Sequence, residues 1–142
     1  MGIARPLYPV WTALIRTHHI TSRAKVNKLR TAAGKHDIYA LLCSGGCPGI
    51  MYCEGSMHGV TDWVKAVQRL RYKDFQLAIK PALDPERVAV LKKENEEKTG
   101  LPFGTNLGKL EEVDSVKEFG ARMQEMGVWT WWRKGMGYVQ GD

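Results

Sequence analysis

The residues best suited to chemistry in this chain are two adjacent histidines, three cysteines and two clusters of lysine and arginine. His18 and His19 follow an apolar segment and precede a basic one. Adjacent side chains on a strand point to opposite faces, so the two rings would not bind one metal ion if the strand continues through them. A structural role at a strand-to-helix corner is our first interpretation, a ligand contact the second and catalysis the third.

The three cysteines invite a zinc interpretation. Cys43, Cys47 and Cys53 are separated by three and five residues, with His36 and His58 nearby in sequence. Structural zinc sites repeat a spacing of about two to four residues between paired ligands, which these two spacings together do not, and free cysteines buried on strands are more common. The sequence also contains no phosphate-binding glycine loop, nucleophile elbow or zinc-binding His-Glu helix. We therefore expect no metal, no cofactor and no catalytic residues, in a protein that is not an enzyme.

The lysines and arginines predict an anionic partner. The chain of 142 residues has a net charge of +6, and its first 83 residues carry 12 lysines and arginines against 4 acids, whereas the remainder carries 9 against 11. An anion should therefore bind the first part, and RNA is the leading candidate. Solvated helix faces that bind nothing are the alternative. The predicted RNA-binding residues are His18, His19, Arg23, Lys28, Arg69, Arg71 and Lys73.

Strands and helices that position these residues alternate in a βαββαβ order. Apolar, β-branched segments predict strands at 10–15, 38–43, 50–53 and 75–79, the last ended by Pro81. Ser22 starts a helix that Gly34 ends, and apolar residues at helical spacing predict a second helix over 58–71. The order is typical of an α+β, ferredoxin-like fold, with a four-stranded antiparallel sheet and two helices on one face.

The C-terminal part differs in composition from this unit. We expect a ferredoxin-like domain at 8–83 and a helical, Trp-rich extension at 84–142 that packs on it. Asp84 and Pro85 start a charged helix, 85–98, and the Ser115–Glu118 capping box starts another, which Gly127 ends. The segment Trp129–Trp132 is too apolar to remain in water. Whether it covers the open face of the sheet is left undecided.

Two short motifs point to a family. Residues 17–22 read Thr-His-His-Ile-Thr-Ser, and residues 46–55 contain Gly-Cys-Pro-Gly-Ile followed by Cys-Glu-Gly. Together they resemble the C-terminal domain shared by splicing factors of the Prp-three type and RWD-domain-containing two proteins, over roughly residues 8–83. The resemblance implies a ferredoxin-like fold and, from the splicing members, contact with RNA. Cys47 stands where the family often has lysine, which removes one possible phosphate contact.

The sequence leaves two kinds of function open. The third predicted strand contains one aromatic, Tyr52, beside the acid Glu54, so it does not match the base-stacking strand of RNA-recognition modules. RNA binding is therefore assigned to the helices and the histidine corner. The alternative is a protein–protein interaction module that uses the charged helix 85–98 or the Trp-rich tail.

Cellular location is constrained by what the sequence lacks. The odd number of cysteines argues against a secreted disulfide framework, and there is no signal-peptide core or membrane-spanning segment. We expect a nuclear or cytoplasmic monomer without a membrane partner.

Overall fold

Ten helices and strands are present in residues 9–97 and 107–138, the parts of the chain that the computed structural model describes, with the backbone alone at 95–97. In chain order they are β1 (Trp11–Thr17), α1 (Arg23–His36), β2 (Tyr39–Cys43), β3 (Gly49–Gly55), α2 (Met57–Arg69), β4 (Gln76–Leu83), α3 (Pro85–Glu97), β5 (Lys109–Val113), α4 (Val116–Glu125) and α5 (Trp129–Met136). The predicted α+β class is confirmed.

The strands form one sheet in the order β4-β1-β3-β2-β5. β1 pairs antiparallel with β3 and β4, and β2 pairs antiparallel with β3. β5 pairs parallel with β2, which places Tyr39 opposite Lys109. The sequence predicted a four-stranded sheet and a purely helical extension, and both predictions are wrong on one point. The extension supplies a fifth strand, and the whole fold is not a plain βαββαβ unit.

Face one of the sheet is the side that α1 and α2 cover. Their apolar stripes face the strands, as helical spacing predicted. Trp63 joins the two helices, since its Nε1 donates a hydrogen bond to the carbonyl oxygen of Leu29 at 3.1 Å. The core on this face includes Ala13, Ile15, Leu42, Met51 and Cys53 from the strands, with Val26, Leu29, Val60, Trp63 and Val67 from the helices.

Face two is the opposite side of the sheet, and α4 and α5 pack against it. The undecided point is thus resolved, because the Trp-rich segment does cover this face. The Trp131 ring meets the Tyr52 ring edge-on, with centroids 5.6 Å apart. Base stacking on either face of the sheet is blocked by this double cover. The core here includes Leu14, Tyr39, Leu41, Ile50 and Tyr52 from the strands, with Phe119, Met123, Val128, Trp132 and Met136 from the C-terminal part.

A buried ion pair joins the start of α3 to the sheet. Arg87 and Glu54 are each 5% exposed, and they meet through Nε–Oε1 and Nη2–Oε2 distances of 2.7 and 3.1 Å. Tyr52 donates its hydroxyl to Glu54 at 2.6 Å, and Arg87 also donates to the carbonyl oxygen of Met126 at 2.8 Å. Buried charges are stable only when they are paired in this way. The network therefore connects α3, the sheet and the end of α4.

The predicted helix starts are confirmed, while the predicted ends of α1 and of β4 are wrong. Backbone N–H groups donate to the side chains of Ser22, Asp84 and Ser115 at 3.2, 3.0 and 3.1 Å. α1 continues past Gly34 to His36, and its C-cap residue Asp37 has a left-handed φ of 54°. β4 continues through Pro81 because it is an edge strand, where a missing N–H is tolerated.

The predictions for the end of the charged helix at Lys98 and for most of the loop after it lie outside the described residues. No helix within 9–97 and 107–138 has the length and apolar character needed to cross a membrane.

Candidate nucleic-acid interface

A groove runs between α1 and α2 on the surface that faces away from the sheet. We call it the helix groove; its volume is about 250 Å³. Its apolar lining comes from Leu29, Ala32, Ala66 and Leu70. The polar and charged lining consists of Lys28, Thr31, Lys35, His36 and Arg69. The groove arises because each helix turns its apolar stripe toward face one and its cations toward solvent.

Unpaired cations border this groove and continue beyond it. Lys28, Lys35 and Arg69 are exposed, as are Arg71 and Lys73 in the loop that follows α2. None of these five side chains has an ion pair or hydrogen bond within the described residues. Exposed cations without a protein partner keep their full charge for an anionic ligand. The described surface therefore offers five unpaired positive charges, three in the helix groove and two in the loop after α2.

Arg23, a predicted contact, is held by the protein itself. Its two terminal nitrogens each contact a Glu112 oxygen at 2.8 Å, and Arg30 contacts Glu112 at 3.0 Å. Ser44 donates its hydroxyl to the same carboxylate at 2.8 Å. These hydrogen bonds, that of Arg23 foremost, lower the pKa of Glu112 from 4.5 to about 2. Arg23 thus fastens α1 to β5, although its side chain remains exposed.

The histidine corner is fixed by its backbone. The N–H of His18 donates to the carbonyl oxygen of Lys73 at 2.9 Å, and the His18 carbonyl accepts from Gly49 N–H at 3.0 Å and from Thr17 Oγ1 at 2.7 Å. A Cβ at Gly49 would overlap the His18 carbonyl oxygen and the Thr17 hydroxyl, so only glycine fits there. These contacts fix the backbone of the corner without using the His18 ring.

The two imidazole rings are nevertheless exposed and lie side by side. Their centroids are 5.3 Å apart with an interplanar angle of 34°. β1 ends at Thr17, so the alternation of a continuing strand does not separate the rings. His18 Nδ1 lies 3.4 Å from a carboxylate oxygen of Asp74. The corner therefore presents a pair of aromatic rings next to Lys73.

All seven predicted contact residues are exposed, but they fall into three groups. Lys28 and Arg69 line the helix groove, while Arg23 is held by Glu112. The remaining four belong to the corner and to the loop after α2: His18, His19, Arg71 and Lys73.

Lys35 is a groove residue that sequence reasoning did not select. It stands seven residues after Lys28, which places both on one side of α1, and this spacing was available as a signal. Lys25 has a different environment. Its ammonium lies 4.9 Å from the centre of the Tyr72 ring, and burial raises the pKa of Tyr72 to about 12.

The cysteines do not come together. Cys43 is buried on face two and Cys53 on face one, where burial raises the pKa of its thiol. Cys47 is exposed. The sheet separates the first two, so they cannot bind one ion. Within the described ranges, no three side chains of His, Cys, Asp or Glu are grouped as a metal site would require.

Most of the Trp-rich segment packs in the core of face two. Trp132 is 4% exposed and Trp131 packs against Tyr52, whereas Trp129 is 39% exposed. The Arg133 guanidinium lies over the Trp129 ring at 4.7 Å. Of the three tryptophans proposed for docking a partner, Trp129 alone keeps a large exposed surface.

No protein-family model matches the sequence, and no curated protein matches it. Function is therefore inferred from the surfaces just described.

Proposed function

We propose that this chain is a non-enzymatic RNA-binding protein. Its binding surface, called here the cationic surface, comprises the side chains of Lys28, Lys35, Arg69, Arg71 and Lys73 with the rings of His18 and His19. The observation that carries the proposal is the concentration of unpaired cations there. Each cation that neutralises a phosphate releases counterions, which is the main source of affinity for nucleic acids.

The helix groove suits a single strand better than a duplex. Its cations can meet successive phosphates, while the apolar side chains of Leu29, Ala32 and Leu70 can contact ribose and base. The His18 and His19 rings offer a surface on which a base can stack. Because helices cover both faces of the sheet, this mode uses helices where RNA-recognition modules use strands.

We also propose that residues 8–83 form a ferredoxin-like unit related to the splicing-factor and RWD-linked family. The spatial order β4-β1-β3-β2, with α1 and α2 on one face, supports this assignment. In this view residues 84–142 are an addition that covers face two and extends the sheet. RNA binding by such a unit agrees with a nuclear or cytoplasmic location.

The first test is the affinity for fluorescein-labelled poly(U) RNA, measured by anisotropy between about 50 and 200 mM salt. The triple variant Lys28→Ala/Lys35→Ala/Arg69→Ala removes three cations from the helix groove. We expect the affinity to fall at least about tenfold and the slope of log affinity against log salt to decrease by about 2.

A control of equal charge is available on the other side of the molecule. Lys109→Ala/Lys117→Ala/Lys134→Ala removes three exposed cations from β5, α4 and α5. We expect this variant to lose less than about threefold in affinity, since long-range charge effects are screened at these salt concentrations. Equal losses of affinity in the two variants would mean that binding depends on net charge alone. An absence of measurable binding would refute the proposal.

A protein partner is the second candidate function, and the exposed Trp129 ring favours it. Large aromatic side chains that remain accessible often anchor protein interfaces. If poly(U) fails to bind, a partner captured by the wild type and lost on Trp129→Ala would support this alternative.

A further inference from the structure

A second cavity, which we call the corner cleft, lies beside the cationic surface. It forms where the end of β1, the β2–β3 turn and the start of β4 meet, and its volume is about 440 Å³. Four of its residues carry a thiol, an imidazole, a carboxylate or a guanidinium. They are Cys47, His18, Asp74 and Arg16.

Cys47 is the accessible thiol of this protein. Cys43 and Cys53 are buried in the cores of the two faces, and burial raises the pKa of both thiols. A reactive cysteine needs exposure together with a nearby base or cation. Cys47 meets the first condition, and His18 and Arg16 line the same cleft as a candidate base and cation.

His18 lies next to a carboxylate. Asp74 Oδ2 is 3.4 Å from Nδ1, and Nε2 makes no hydrogen bond within the described residues. The backbone hydrogen bond from His18 to Lys73 holds the imidazole next to the loop that carries Asp74. Asp74 therefore acts as a positioning residue for His18.

Arg16 adds a cation that nothing else uses. It is half-buried in the wall of the cleft, and its guanidinium has no ion pair within the described residues. A guanidinium in this setting can hold a carboxylate through paired hydrogen bonds. The corner cleft thus combines a thiol and a base with a carboxylate-binding group.

We propose that Cys47 is a site of thiol–disulfide exchange with an anionic low-molecular-weight disulfide of the glutathione type. His18 takes the thiol proton, and the Cys47 sulfur attacks one sulfur of the disulfide. The Cys47–S bond forms as the disulfide S–S bond breaks, and the departing thiolate takes the proton from His18. Cys47 is oxidised to a mixed disulfide, one ligand thiol is released, and Arg16 holds a carboxylate of the incoming disulfide.

The test incubates the full chain with oxidised glutathione at neutral pH and follows the reaction by intact-mass spectrometry and peptide mapping. We expect one glutathionyl group per chain, on Cys47, and none on Cys43 or Cys53. Cys47→Ser should abolish the adduct. The second-order rate constant should exceed that of N-acetylcysteine under the same conditions by about tenfold.

Three further variants separate the roles of the neighbours. His18→Gln should lower the rate constant about tenfold, because the amide cannot accept the proton. Asp74→Asn should shift the pH profile of the rate. Arg16→Ala should slow the reaction with oxidised glutathione by up to about fivefold, yet leave the reaction with neutral hydroxyethyl disulfide unchanged.

The outcome that overturns the proposal is a Cys47 that reacts no faster than N-acetylcysteine, or a rate indifferent to His18→Gln and Arg16→Ala. Circular dichroism of each variant verifies that the fold is kept. This reactivity does not depend on RNA binding, so either proposal can fail while the other stands.

Discussion

Each face of the sheet buries an apolar core, and the helices that cover the two faces differ in charge. α1 and α2 together carry seven lysines and arginines against one acid, whereas α4 and α5 carry four against two. On face two, Arg122 contacts Tyr39 and Glu111, and Arg133 lies over Trp129. Packing is thus common to both faces, while the helices of face one carry the larger excess of positive charge. The comparison teaches that surface charge, rather than the buried core, marks the candidate binding side.

β5 is attached to both faces through neighbouring glutamates. Glu112 points toward α1, where it meets Arg23, Arg30 and Ser44. Glu111 points the other way and accepts the Tyr39 hydroxyl at 2.6 Å. Hydrogen bonds from Tyr39 and then Arg122 lower the pKa of Glu111. One short strand therefore links the helices of face one to those of face two.

The largest expected effects test whether the two cores are equally necessary. Trp63→Ala on face one and Trp132→Ala on face two should each lower the free energy of unfolding by about 4 kcal/mol, because both side chains are buried and leave large cavities. Urea denaturation followed by circular dichroism measures both. A loss under about 1 kcal/mol for Trp132→Ala would show that face two is peripheral to the fold.

The junction between α3 and the sheet should be nearly as sensitive. Arg87→Met leaves the carboxylate of Glu54 buried without its cation, which should cost about 3 kcal/mol. Adding Glu54→Gln removes that charge while keeping an acceptor for the Tyr52 hydroxyl, so the double variant should regain most of the loss. A single variant as stable as the wild type would mean that the ion pair is dispensable.

Conservative changes sharpen the comparison between the two tryptophans. Trp63 Nε1 donates to Leu29, whereas the buried Nε1 of Trp132 has no partner within the described residues. Trp63→Phe should therefore lower the free energy of unfolding by about 1 kcal/mol more than Trp132→Phe. Thermal unfolding of the two variants under one buffer condition gives the difference, and the reverse order would contradict this account.

The smallest effect concerns the attachment of β5 to face one. The folded-state pKa of Glu112 lies near 2, below its usual 4.5, so its ion pairs stabilise the fold above pH 4.5 and are lost as pH falls toward 2. In that window the wild type should lose up to about 1 kcal/mol more than Glu112→Gln, since the side chains of Arg23 and Arg30 are exposed. Equal acid sensitivity in both proteins would argue against this role for Glu112.

Local signals explain how much of face one could be predicted. Ser22 caps α1 through the N–H of Lys25, and the apolar spacing in α2 gave its buried side directly. Lys28 and Arg69 were selected as exposed cations on those helices, and both line the helix groove. Each inference needed only residues within a few turns of one helix.

The features that could not be predicted from the sequence depend on long-range contacts. β5 has five residues and is paired only with β2, so little in its own sequence signals a strand. Arg23 could not be recognised as an ion-pair residue because Glu112 is 89 positions away. α5 begins at Trp129 without a side-chain cap, so the tryptophans predicted packing but gave no helix start.

The most direct test of the central claim is a titration of the ¹⁵N-labelled protein with unlabelled poly(U) RNA, followed by amide chemical shifts. Our account predicts shifts that grow with added RNA at Lys28, Lys35, Arg69 and the His18–His19 corner, with α4 and α5 unaffected. Shifts confined to α4 and α5, or none at RNA concentrations far above that of the protein, would contradict it.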